Sequence, residues 1–173
     1  MDKERLTEAY AILPMEFTEN HELPFFDECD LHDLIDAGED VFKRKVMMTK
    51  ETYHAWQMMQ KIAQREGVSL LIVSAFRSYT YQAKIIANKL AKGLSLNEIL
   101  KVSALPGFSE HHTGRALDLT TDDEKQVLTQ AFENTKAFQW LTQNAHKFNF
   151  YLSYSRNNSY GFIYEPWHWC YKS

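Results

Sequence analysis

The apolar positions along this chain fall into a series of short helical and strand-like patterns, clearest in its middle. Leu6, Ala9, Tyr10 and Leu13 recur at helical spacing ahead of Pro14, predicting a short first helix that ends there. Residues 16–40 are acidic, carry Pro24, Phe25, Phe26 and Gly38, and read as an irregular wrap whose aromatics pack on the core. Thr49 predicts an N-cap for a helix in which Tyr53, Trp56, Met59, Ile62 and Ala63 form one stripe, with Gly67 as its stop. Residues 68–76 are dense in apolar and β-branched side chains and predict a buried strand. Helical spacing resumes at Ala83, Ile85, Ile86 and Leu90, so Arg77 stands where a strand gives way to a helix.

Ser95 and Glu98 match a capping box opening a short helix through Val102, and Pro106-Gly107 marks a turn. Residues 115–119 alternate: Leu117 and Leu119 point to a core, Ala116 and Asp118 to the other face. Asp122 or Asp123 predicts the start of another helix, and a longer one is expected over 130–145. Residues 148–152 and 162–165 predict two strands joined by the polar loop 155–161. The pattern holds no repeat or linker. It reads as α+β, a small antiparallel sheet flanked by helices, in one domain over 1–173 with an N-terminal wrap (1–48) and a core (49–171).

Composition narrows the choice of partner. A chain of 173 residues that is 45% hydrophobic can bury one real core. A formal net charge of -4 offers no broad attraction to nucleic acid or anionic lipid, so a small neutral or zwitterionic ligand fits better. Cys29 and Cys170 do not form a metal-type pair and read as reduced thiols. The N-terminus runs into mixed polar sequence with no apolar leader, and no window reaches membrane-spanning length. The expectation is a monomer without a membrane span, cytoplasmic, or periplasmic if a leader has been removed.

The candidate chemistry centres on Gly107-Phe108-Ser109-Glu110-His111-His112-Thr113-Gly114-Arg115-Ala116-Leu117-Asp118, which brings imidazole and carboxylate together around a glycine turn. A catalytic zinc site needs three protein ligands and leaves the fourth position to water. His111, Asp118 and His168 are the proposed set, with His112 an alternative to His111 because neighbours on a strand-like segment point opposite ways. His21, His32, His54 and His146 lack a partner pattern and default to surface or satisfied core positions. Glu165 is the expected general base. It lies three residues before His168, which on a regular strand would face it away, so a kink at Pro166 is needed to turn both inward. Arg77 suits a developing oxyanion or a substrate carboxylate, since its guanidinium fork is always charged. Ser109, Tyr79 and Gln82 are further candidates for hydrogen bonds to substrate.

With these residues in view, the sequence resembles the VanY-type zinc D-alanyl-D-alanine carboxypeptidases, within the wider group of lysostaphin-type and hedgehog-type zinc folds. Three motifs carry the resemblance in order: Ser74-Ala75-Phe76-Arg77-Ser78 with Gln82; Ser109-x-His111-x-x-Gly114-x-Ala116-x-Asp118; and Glu165-x-Trp167-His168. It covers about Thr49 to Tyr171. The resemblance implies that His111 rather than His112 is the ligand, that Asp118 and His168 complete the zinc set, and that Glu165 is the base. It also implies that Arg77 polarises the scissile carbonyl, and that Ser109 and Gln82 contact substrate. The implied activity is removal of the terminal D-alanine from peptidoglycan stem peptides or their precursors. A peptidoglycan endopeptidase, a D,D-dipeptidase and a non-catalytic zinc-stabilised binding module are the alternatives. Two departures bear on substrate choice: Cys170 stands where many relatives carry arginine, and the loop 155–160 differs from theirs.

Overall fold

The structure, a computed structural model, describes residues 2–15 and 23–173. His21 and the stretch 16–22 of the acidic wrap lie outside the described residues. The architecture is α+β. Five α-helices, α1 (Lys3–Tyr10), α2 (Lys50–Arg65), α3 (Tyr79–Ala91), α4 (Leu96–Leu100) and α5 (Lys136–Asn144), surround two antiparallel sheets among the described residues. One sheet is the hairpin β1 (Leu34–Glu39) and β2 (Lys45–Thr49). The other has four strands, β3 (Leu71–Ser74), β4 (Ala116–Thr120), β5 (Phe150–Leu152) and β6 (His168–Tyr171), in the order β3-β4-β6-β5.

Capping chemistry places the helices where the sequence expects them. The Thr49 hydroxyl accepts from the Thr52 amide at the start of α2, the Ser78 hydroxyl from Tyr81 at α3, and Ser95 with Glu98 forms a complete capping box on α4. Trp56, Met59 and Ala63 of α2 pack with Leu117 and Leu119 of β4 and with Leu141 of α5 in one core; Tyr53 and Ile62 lie at its edge. A second core joins Leu6, Ala9 and Tyr10 of α1 to Ala83 and Ile86 of α3 and Ile99 of α4. Every residue of β4 is buried, so the sheet is covered on both faces and the face carrying Asp118 is enclosed.

Several expected elements differ. The wrap leads into the β1–β2 hairpin, whose first strand is half exposed and carries Asp36, Gly38 and Glu39, so no apolar alternation marks it. The strand expected over 68–76 is cut to Leu71–Ser74, because at Phe76 the backbone amide leaves the sheet to bond Met47 O. No helix starts at Asp122 or Asp123. The helix expected over 130–145 is interrupted at Thr135, which is extended and caps α5 through Phe138 N, with 3₁₀ turns on either side. Residues 162–165 are not a strand. The partner of β5 is β6, which pairs Phe150 with Tyr171. α4 ends at Leu100, short of Val102.

Candidate active site

The site is built where β4 lies between β3 and β6. In that register Asp118 faces His168 on one side and Ser74 on the other. His111 arrives on a 3₁₀ turn, Glu110–Thr113, which Ser109 caps and Gly114 closes in the left-handed conformation at φ 68°. Glu165 and His168 are joined by a β-turn around Pro166, with His168 N bonded to Glu165 O at 3.1 Å. That turn, rather than a bent strand, is what sends both side chains into one cavity.

His111, Asp118 and His168 are each buried and offer ligand atoms that all lie within 4.8 Å of one another. Both imidazoles are held from behind. His111 Nδ1 lies 2.6 Å from Ala75 O, which leaves Nε2 to the site, 3.2 Å from Asp118 Oδ2. His168 Nε2 lies 2.9 Å from Glu110 Oε2, which leaves Nδ1 to the site, 3.1 Å from Asp118 Oδ1. This is the arrangement in which a carboxylate or carbonyl fixes the tautomer of a metal-binding histidine. A guanidinium nitrogen of Arg77 sits among these atoms, 2.8 Å from His111 Nε2 and 2.5 Å from Asp118 Oδ2. The donor set thus already attracts a cation, and two imidazoles with one carboxylate suit zinc.

Burial raises the cost of charge here, and neighbours decide which groups keep it. Burial would raise Asp118, but His111 and Arg77 hold it well below the carboxylate range. Burial, helped by Arg77, lowers His111 to about 4. Burial also opposes charge on His168, yet hydrogen bonds from its ring to Asp118 and Glu110 raise it to about 10. Glu165 has no such anchor for its charge: burial, reinforced by Asp118 and opposed by His168 and Arg77, raises it to about 7. A carboxylate tuned to neutrality beside a cation site is equipped for proton transfer.

Arg77, His111, Asp118, Glu165, His168 and Ser109 all border one cavity of about 510 Å³. Gln82 borders it too, but its amide is engaged at both ends, accepting from Arg77 at 3.3 Å and donating to Ala104 O at 2.8 Å. Tyr79 is not brought there. Its fully buried hydroxyl donates to Phe26 O and accepts from Glu28 N, tying the N-terminal segment to α3. His112 turns away from the site, with Nδ1 2.7 Å from Arg77 O and its ring edge-on to Tyr79. His32, His54 and His146 are exposed.

Three further residues lie against the site, and two of them, Glu110 and Tyr154, are not singled out by periodicity. Glu110 is buried behind His168; the available signal was an acid flanked by Ser109 and His111 in a turn about to be enclosed. Tyr154 packs on the His168 ring, centroids 4.5 Å apart and tilted by 32°. Cys170, on the same face of β6 as His168, is a buried free thiol that burial and then the charge of Glu110 push up.

Residues 45–173 match the VanY family, D-alanyl-D-alanine carboxypeptidase. The putative carboxypeptidase YodJ of Bacillus subtilis (strain 168) is 35% identical over 128 residues, 72% of this chain and 46% of that protein. A D-alanyl-D-alanine carboxypeptidase of Enterococcus faecium is 29% identical over 141 residues, 79% of this chain and 41% of that protein. The chain therefore spans less than half the length of these two relatives. The solved structure of the LD-carboxypeptidase LdcB superposes with a TM-score of 0.73 at 32% identity, covering 83% of this chain and 69% of that one. The E175A mutant of the D,D-pentapeptidase VanY in complex with Zn(II) shares the fold, with a TM-score of 0.66 at 23% identity over 88% of this chain and 84% of that one. Motif order, site geometry and these similarities agree, and the chain belongs to the VanY family of D-alanyl-D-alanine carboxypeptidases.

Proposed function

We propose that this chain is a zinc-dependent carboxypeptidase that removes the C-terminal D-alanine from peptidoglycan stem peptides or their precursors. The observation that carries this reading is the convergence of three ligand atoms, a carboxylate near neutral pKa and a guanidinium on one cavity. His111 through Nε2, Asp118, and His168 through Nδ1 would hold the metal. Zinc bound there supplies a lowered pKa for its water and polarisation of the scissile carbonyl.

Glu165 takes the proton from the attacking water and delivers it to the departing amine, a task matched to a pKa of about 7. Arg77, beside the ligand atoms, offsets the negative charge that develops on the carbonyl oxygen. Ser109, which borders the cavity, is available to bond the substrate backbone. Gln82 acts through Arg77, whose guanidinium it steadies. Tyr79, far from solvent and already bonded, supports the scaffold rather than the peptide.

A second reading is favoured by the similarity to LdcB: hydrolysis of an L,D bond rather than a D,D bond, with the same chemistry. Mass spectrometry after incubation of the zinc-loaded protein with two peptides separates them. A pentapeptide ending in D-Ala-D-Ala should lose one residue if the first reading holds, and a tetrapeptide ending in an L-centre followed by D-alanine if the second does. Loss of a terminal residue from neither peptide would refute both.

A further inference from the structure

Among the described residues three lysine or arginine side chains border the cavity, and two of them are committed. Arg44 binds Asp40 at 2.6 Å and Arg77 binds Asp118 at 2.5 Å. Lys89 is different. It lies on α3 on the face that also carries Gln82 and Ile85, and its ammonium donates to Ser103 Oγ at 2.7 Å. No carboxylate of the described residues comes within ion-pair distance of it. A lysine half-enclosed without an anion is uncommon, because desolvation of the ammonium is not returned by a partner.

We propose that Lys89 and Ser103 form the subsite for the free C-terminal carboxylate of the peptide, and so confine this chain to removing single terminal residues. The proposal deepens the carboxypeptidase reading and rests on it. The ammonium has donors left over after its bond to Ser103, and the Ser103 hydroxyl, accepting from Lys89, has its own hydrogen free for a carboxylate oxygen. Both residues border the same cavity as Glu165 and Arg77. Burial and the charge of Arg77 lower the pKa of Lys89 while the charge of Glu165 raises it, so the lysine feels both groups assigned to the chemistry. A carboxylate arriving there would neutralise a charge that no carboxylate of the described residues pairs. Val102, Ala104 and Ile85 flank the pair with apolar surface, suited to a small side chain such as the methyl of alanine. A peptide continuing beyond the first residue after the scissile bond would put a neutral amide against the ammonium and forgo the charge-assisted bond.

The test is calorimetric titration of zinc-loaded Glu165→Gln protein, which binds without turnover, using a peptide ending in D-Ala-D-Ala as the free acid and as its C-terminal amide. The acid should bind more tightly than the amide. Adding Lys89→Met should weaken the acid by about ten- to a hundredfold and leave the amide unchanged. Lys89→Arg should keep part of the preference, and thermal melting should show that each variant is folded. The inference is overturned if the acid preference survives Lys89→Met, if both peptides weaken equally, or if the acid does not bind at all. Turnover by the wild-type protein separates the two levels of the argument. Release of D-alanine with a preference indifferent to Lys89 sinks only the subsite, whereas a Lys89-dependent preference without hydrolysis sinks only the carboxypeptidase reading.

Discussion

The His168 ring is gripped from two sides: Glu110 Oε2 lies 2.9 Å from Nε2, and Asp118 Oδ1 lies 3.1 Å from Nδ1. Only the Asp118 contact belongs to the ligand set, because the ligand atoms that gather within 4.8 Å of one another come from His111, Asp118 and His168 and not from Glu110. Glu110 therefore sets the orientation and tautomer with which His168 meets a metal. Replacing it by alanine should lower zinc affinity by about ten- to a hundredfold while leaving the fold intact. Competition with a chromophoric chelator measures the first, and circular dichroism the second. Unchanged affinity would show that packing alone holds the ring.

The same pair of carboxylates makes metal binding and protonation compete. His168 is raised from its ordinary 6.5 to about 10 in the metal-free protein. A group raised on folding stabilises the folded state fully below its unfolded pKa and loses that contribution as pH climbs to the folded one. The urea midpoint of chelator-treated protein should therefore fall between about pH 6.5 and pH 10. Zinc-loaded protein should fall less, because the cation replaces the proton. Zinc titrations near pH 8 in buffers of different ionisation enthalpy should register proton release.

Glu165 must be ionised to act as a base, and its pKa is raised to about 7. Activity should fall as pH drops through neutrality, with the midpoint at or below that value once a metal cation adds its field. Glu165→Gln should reduce kcat by about a hundredfold or more and retain zinc. Asp118→Ala should lose zinc and activity together, as metal analysis of the purified variant would show.

Gly114 closes the turn that presents His111 and holds φ at 68°, a conformation costly for a residue with a side chain. A Cβ there would stand 2.7 Å from Leu34 Cδ2 and 3.2 Å from Thr49 Cγ2. Gly114→Ala should cost about 1–3 kcal/mol in urea denaturation, combining left-handed strain with local displacement. An unchanged midpoint would mean the turn can relax.

Helix α2, the capping box of α4 and the alternation of β4 were legible because each is local: a cap and its amide, or a stripe and its period, lie within a few residues. The β1–β2 hairpin was not, because Asp36, Gly38 and Glu39 in β1 carry no apolar alternation. The partner of β5 is hidden for a related reason. Strand pairing is settled by which backbone reaches the sheet, and β6, not 162–165, pairs with β5.

The sequence by itself determined which side chains the chain possesses for this chemistry, and it spaced His111 and Asp118 on one turn-and-strand unit with Glu165 three residues from His168. Only the tertiary structure decided that these two pieces meet, since Asp118 and His168 face each other through β4–β6 pairing across fifty residues of chain. It also decided that Pro166 turns Glu165 inward, that Glu110 backs His168, that the Tyr79 hydroxyl is spent on Phe26 O, and that Lys89 meets Ser103 and no carboxylate of the described residues. The physical reason is that protonation, orientation and pairing depend on what encloses a group, and enclosure is assembled from segments that carry no local record of one another.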